Sequence, residues 1–122
     1  MRMWMLDPKV HCRKHLLGAH VECHMLLGSM KRKKNLGRFI SDGLVDPRKV
    51  IEYHDSLASE MKRRGYRHNS PVDTSVQTKE WPSGIVDSGK SVKDLSQRCE
   101  ECRNSIFERI KKDESVYFND IC

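Results

Sequence analysis

Two Asp-Pro dipeptides, Asp7-Pro8 and Asp46-Pro47, set the plan of this chain. Each puts a carboxylate acceptor ahead of a residue that needs no N–H, the pairing that starts helices. Each also leads into apolar residues recurring every three or four positions. After the first, Leu17, Val21 and Met25 make one stripe, widened by Leu16, Ala19, Cys23, Leu26 and Met30, so a helix from Pro8 to Met30 is expected. After the second, Val50, Ile51, His54, Leu57, Ala58 and Met61 keep helical spacing until Gly65 supplies a left-handed stop. The basic turn Lys31-Arg32-Lys33-Lys34 and a short helix from Leu36 to Ser41 join the two. Ser91, with Asp94 three residues on, opens a last helix carrying Val92, Leu95, Cys99, Cys102, Ile106 and Ile110. Between them, residues 69–90 form a polar stretch with Pro71, Pro82 and two glycines, long enough to expect a functional or mobile loop. No internal repeat or strand alternation stands out. The expected fold is all-α: a single-domain helical bundle over residues 1–122, with a long loop before the last helix.

At 122 residues the chain can bury one modest core. Its charge is uneven. Residues 1–69 hold 15 Lys/Arg against 7 Asp/Glu, whereas residues 70–122 hold 8 against 10. The first part is therefore the one suited to a polyanion, although a solvated basic face has the same composition. The most apolar stretch, His15 to Met30, is interrupted by His20, Glu22 and His24, so neither a membrane span nor a signal peptide is expected. With no secretory signal, the five cysteines are expected as reduced thiols in a cytoplasm.

Two residues draw attention as chemistry. An α-amino group titrates at about 7.7–8.0, so part of it is neutral at physiological pH and can attack a sugar carbon to form a Schiff base. Met1 is followed by the bulky Arg2, which opposes removal of the initiator methionine and leaves the Met1 amine as the candidate nucleophile. Glu22, with Gly18, Ala19, Met25 and Leu26 as its helical neighbours, is a carboxylate in partly apolar surroundings, a setting that suits an acid/base. A glutamate at the edge of the apolar stripe reaching solvent would show the same pattern. His15 lies two turns earlier, on roughly the same face.

The opening Met1-Arg2, the run from His15-Leu16 to Glu22, Gly28, and Tyr53-His54-Asp55 through Arg64-Gly65-Tyr66 resemble the pyrimidine-dimer DNA glycosylase/AP lyase family, the phage endonuclease V type, over residues 1–69. The resemblance implies Met1 as nucleophile and Glu22 as catalytic glutamate, at matching separation, with Arg2 and His15 in support. It implies DNA repair on damaged duplex DNA by a monomer, without a cofactor, in a prokaryotic cell or its phage or virus. The candidate phosphate contacts are Arg13, Lys14, Lys31, Arg32, Lys33, Lys34, Arg38, Arg63, Arg64 and Arg67. Where the phage member has arginines beside its glutamate, this chain has Val21 and Met25, so that grip is absent or moved to His20, His24, Arg13 or Lys14. The loop and last helix match the family poorly.

Metal ligation is the competing reading of the cysteines and histidines. His11, Cys12 and His15 cluster, as do His20, Cys23 and His24, and Cys99-Glu100-Glu101-Cys102 is a CxxC. A CxxC is half a zinc site, and no second CxxC completes it. Cys99 and Cys102 also fall on the apolar stripe, where free cysteine packs as a small hydrophobe, so no metal is expected. The alternatives to the enzyme are a non-catalytic basic DNA-binding protein and a zinc-stabilised interaction module around Cys99 and Cys102.

Overall fold

A computed structural model describes residues 1–118. Among them it has five α-helices: α1 (Arg13–Lys31), α2 (Gly37–Ser41), α3 (Val50–Arg63), α4 (Ser88–Arg98) and α5 (Glu100–Lys111). The only β pairing among the described residues is an isolated antiparallel bridge between Leu6 and Tyr117. No helix among them is long and apolar enough to cross a membrane.

Both Asp-Pro signals start 3₁₀ turns, Pro8–Val10 and Pro47–Lys49, with Asp7 accepting from the Lys9 N–H and Asp46 from the Arg48 N–H. The second runs straight into α3. The first does not continue. His11 and Cys12 are extended (ψ 138° and 169°), so the helix expected from Pro8 begins only at Arg13. The Cys12 N–H leaves the helical ladder and donates to Cys102 Sγ at 3.2 Å. The last helix is likewise broken. Cys99 (φ −141°, ψ 117°) closes α4 and caps α5, its sulfur accepting from the Cys102 N–H at 3.4 Å. α4 starts earlier than Ser91, at Ser88, where the Asp87 carboxylate accepts from the Lys90 N–H.

The core lies between α1 and α3 and around the N-terminal segment. Leu16, Ala19, Cys23, Leu26, Leu27 and Met30 face inward from α1 and meet Tyr53, Leu57 and Met61 of α3. The stripe expected through Val21 and Met25 faces outward instead, at 54% and 49% exposure, because the α3 contact selects the opposite side of the helix. Ile110, expected inside, is also exposed.

Met3, Trp4, Met5 and Leu6 run through the molecule as a buried thread. The Met3 N–H donates to the Leu44 carbonyl (2.8 Å), the Asp7 N–H to Val116 (2.9 Å) and the Phe118 N–H to Met5 (3.2 Å). Complete burial of a side chain such as Leu6 contributes about 1.5–3 kcal/mol, enough to fix a segment that no helix holds. Met5 takes a left-handed φ of 56°, which that pairing must hold against the ordinary preference of L-residues. Arg109 of α5 ties down the end of the thread through Asp7 (3.0 Å) and the Ser115 carbonyl (2.8 Å).

Two polar fasteners complete the frame. Glu60, buried on α3, accepts from Arg63 (2.6 Å) and Arg64 (2.7 Å), and Arg64 also donates to the His11 carbonyl at 2.8 Å. The 69–90 stretch folds onto the α2–α3 connection. Arg48 Nε donates to the Trp81 carbonyl (2.6 Å), and Gly84 lies so close to the Val45 carbonyl that a Cβ there would collide with it.

Candidate active site

The buried thread leaves its first two residues half-buried at the surface beside α1. There the Arg2 N–H donates to Glu22 Oε2 at 3.2 Å, placing the Met1 amine one residue away from the carboxylate. The Arg2 guanidinium pairs with Asp94 of α4 (3.0 Å) and stacks over the Trp4 ring, 4.0 Å from its centroid. Arg98, one turn further along α4, approaches the same ring. Thread, α1 and α4 thus meet at Arg2, whose backbone N–H is held by Glu22 of α1 and whose guanidinium is held by Asp94 of α4.

The surface around Glu22 is open. Gly18, one turn earlier, is exposed, and a Cβ built on it would touch nothing within 4 Å. Val21 and Met25 stand on the outside of the same helix. A half-buried carboxylate thus shares this stretch of α1 with an exposed glycine and two exposed apolar side chains.

Among the basic residues singled out, Lys31, the last residue of α1, and Arg32, Lys33 and Lys34 in the turn after it are all exposed, with Lys31 paired to Asp73 at 2.7 Å. Arg38 is almost fully exposed, Arg67 and Lys14 are exposed, and Arg13 lies over the Tyr66 ring at 4.9 Å. Arg63 keeps an exposed guanidinium while pairing with Glu60. Arg64 is engaged inside the fold by Glu60 and the carbonyls of the first 3₁₀ turn. His15 is not gathered at Glu22. Its Nδ1 lies 3.1 Å from Cys12 Sγ and 3.6 Å from Cys102 Sγ.

The structure supplies what the CxxC lacks in the sequence. Cys12 and His15, a Cys-x-x-His at the start of α1, face Cys99 and Cys102 at the start of α5, and the four donor atoms lie within 4.8 Å of one another. Burial pushes the Cys99 thiol up, but hydrogen bonds from Cys102 and Cys12 outweigh this and hold it below its ordinary range. Burial pushes the Cys102 thiol up.

A second group, His20, His24, His54 and His68, is equally compact. Burial, then the neighbouring His54, His24 and His68, lowers His20 to about 4, and burial lowers His24 and His68 as well. Sequence reasoning paired His20 and His24 with Cys23. Cys23 is wholly buried in the core, and the missing partners come from α3 and the segment after it, which helical spacing alone could not reveal.

The pyrimidine dimer DNA glycosylase family matches residues 1–74, and this segment includes Met1, Arg2, His15 and Glu22. No curated protein and no solved structure matches the chain. The thread, α1 with Glu22, and α3 all lie within the matched segment, and the chain belongs to the pyrimidine dimer DNA glycosylase family.

Proposed function

We propose that the protein is a DNA glycosylase and AP lyase for damaged duplex DNA, with the Met1 amine as nucleophile and Glu22 as its carboxylate partner. The observation that carries this reading is the 3.2 Å hydrogen bond from the Arg2 N–H to Glu22, which ties the residue next to Met1 to the carboxylate across 20 residues of sequence. The neutral amine attacks C1′ of the lesion's sugar, and the C–N bond to the base breaks with its electron pair leaving on the base. The proton lost from nitrogen passes to the ring oxygen O4′ as its bond to C1′ breaks, and the opened sugar is left as the Schiff base. Glu22 stabilises the positive charge as it develops, then accepts the C2′ proton, and elimination breaks the bond to the 3′ phosphate. Water hydrolyses the Schiff base and regenerates the amine. None of these steps uses a metal.

The exposed basic turn at Lys31–Lys34, with Arg13, Lys14, Arg38, Arg63 and Arg67, would contact phosphates on either side of the lesion. Arg64 falls outside this set because its guanidinium serves the fold. Gly18, Val21 and Met25 offer an uncharged surface on which a displaced nucleotide can rest. The test is incubation with duplexes carrying either a pyrimidine dimer or a ready-made abasic site. Both should be cleaved, the dimer after base release. Intact strands from both would leave only a DNA-binding protein.

A further inference from the structure

The four donor atoms of Cys12, His15, Cys99 and Cys102 lie close to the spacing of a filled tetrahedral site. Zinc bonds of about 2.3 Å to sulfur and about 2.0–2.1 Å to nitrogen put tetrahedral sulfurs about 3.8 Å apart, and sulfur and nitrogen about 3.6 Å apart. Cys12 and Cys99 Sγ are 3.8 Å apart and His15 Nδ1 lies 3.6 Å from Cys102 Sγ, while His15 Nδ1 and Cys12 Sγ, hydrogen-bonded at 3.1 Å, would part by about 0.5 Å to take the ion. The two halves are also built alike. In each, an extended residue precedes a helix and offers a sulfur, and the second donor follows three residues later in the first turn. Two backbone N–H groups point at sulfur, Cys12 to Cys102 and Cys102 to Cys99, as they do around metal-bound thiolates. Lys14 and Arg98 stand close enough to act on His15 electrostatically. They suit the single net negative charge of three thiolates and a neutral imidazole on a divalent ion.

We propose that these four residues bind one zinc ion as a closed structural site. Binding replaces the thiol protons, releasing up to three to solvent, and leaves no open position for a substrate. The ion would clamp the α4–α5 hairpin to the start of α1. That hairpin carries Asp94 and Arg98, which hold Arg2 and Trp4, so the clamp acts on the N-terminal thread through its neighbours. Protein produced without an affinity tag should contain zinc. Replacement by Co²⁺ should give sulfur-to-cobalt charge-transfer absorption, and three thiols should become reactive only after chelation. Cys99→Ser should lose the charge-transfer intensity in part, and His15→Cys, which keeps four donors, should retain tetrahedral binding. Thiols equally reactive before and after chelation, a Cys12–Cys99 disulfide in native protein, or cobalt spectra without thiolate character would overturn the site. The cleavage assay is independent of this result, so the zinc site and the glycosylase reading can fail separately.

A different observation carries a second centre at the histidines. His54 hydrogen-bonds Asp55 through Nδ1 at 3.0 Å, and its Nε2 is buried with no partner. His24 hydrogen-bonds the Ser70 backbone, and its Nε2 too is buried and unpartnered. His20 and His68 bring their Nε2 atoms within 2.8 Å of each other. A carboxylate or backbone group on one ring nitrogen, with the other aimed at a common centre, is how protein histidines are oriented for metal. We infer that these four imidazoles bind a divalent transition ion, beside an open cavity of about 550 Å³ that His54 and His68 help to line. Metal-stripped protein titrated with Co²⁺ should take up a second equivalent that lacks sulfur absorption. His24→Gln with His68→Gln should lose that equivalent while keeping the thiolate bands. Uptake of one equivalent only, or a second that survives both substitutions, would contradict this centre.

Discussion

The family-matched segment, residues 1–74, and the remainder up to residue 118 make opposite contributions to the same site. The first supplies Met1, Arg2 and Glu22. The second supplies Asp94, paired with Arg2, Arg98, close to the Trp4 ring, and Arg109, which fastens Asp7 at the end of the thread. The proposed reacting groups thus lie in the first part, and some of the groups that hold them lie in the second. The family match ends at residue 74, before the helices that carry these braces.

The largest expected effect belongs to the first half. Glu22→Gln keeps shape and hydrogen-bonding reach but removes charge and basicity. Base release should fall about 10²–10⁴-fold in single-turnover cleavage, the range for a positioned acid/base, with DNA binding kept or tightened. Normal cleavage would reduce Glu22 to the edge of the core. Next, neutralising Lys31, Arg32, Lys33 and Lys34 together should weaken binding to all duplexes alike. Each lost phosphate contact should flatten the slope of log K against log salt by about 0.9. An unchanged slope would make this turn a solvated corner.

The helical plan was legible because Asp-Pro starts and three–four spacing are local signals. The outward turn of Val21 and Met25 was not, because the choice of inner face on α1 depends on where α3 packs. The breaks at His11–Cys12 and at Cys99 were hidden for a related reason. Each is an extended residue whose sulfur or N–H is used by a partner about 90 residues away, and no helical period reports that. Glu22 stood out by its neighbours and by resemblance, but its link to the thread needed the folded chain. Glu60 was missed, since a glutamate followed by two arginines reads as surface charge until burial is known.

Glu60 provides a smaller test, of stability and not of chemistry. Burial alone would raise its pKa, but the hydrogen bonds and charges of Arg63 and Arg64 outweigh this and hold it below 4.5. A carboxylate depressed on folding contributes stability that is present above its ordinary range and is lost as pH falls through the folded value. Glu60→Gln should cost about 1–3 kcal/mol at neutral pH by denaturant titration, and the deficit should narrow as the medium is acidified below pH 4.5. A deficit independent of pH would assign the effect to shape alone. The smallest effect is at Gly18, where a Cβ meets open space. Gly18→Ala should raise stability by about 0.5–1 kcal/mol from helix propensity. Gly18→Leu should leave the fold intact yet slow cleavage, because its side chain stands where the nucleotide would lie. Unchanged cleavage by the leucine variant would move the substrate away from this face.

The central claim is that the amine at the end of the buried thread, brought beside Glu22, attacks the sugar. Borohydride reduction during reaction with an abasic duplex, followed by peptide mapping of the protein–DNA adduct, tests it directly. The account predicts a covalent adduct at residue 1, absent when the amine is acetylated. An adduct on a lysine side chain such as Lys14, or full cleavage by the acetylated protein, would contradict it.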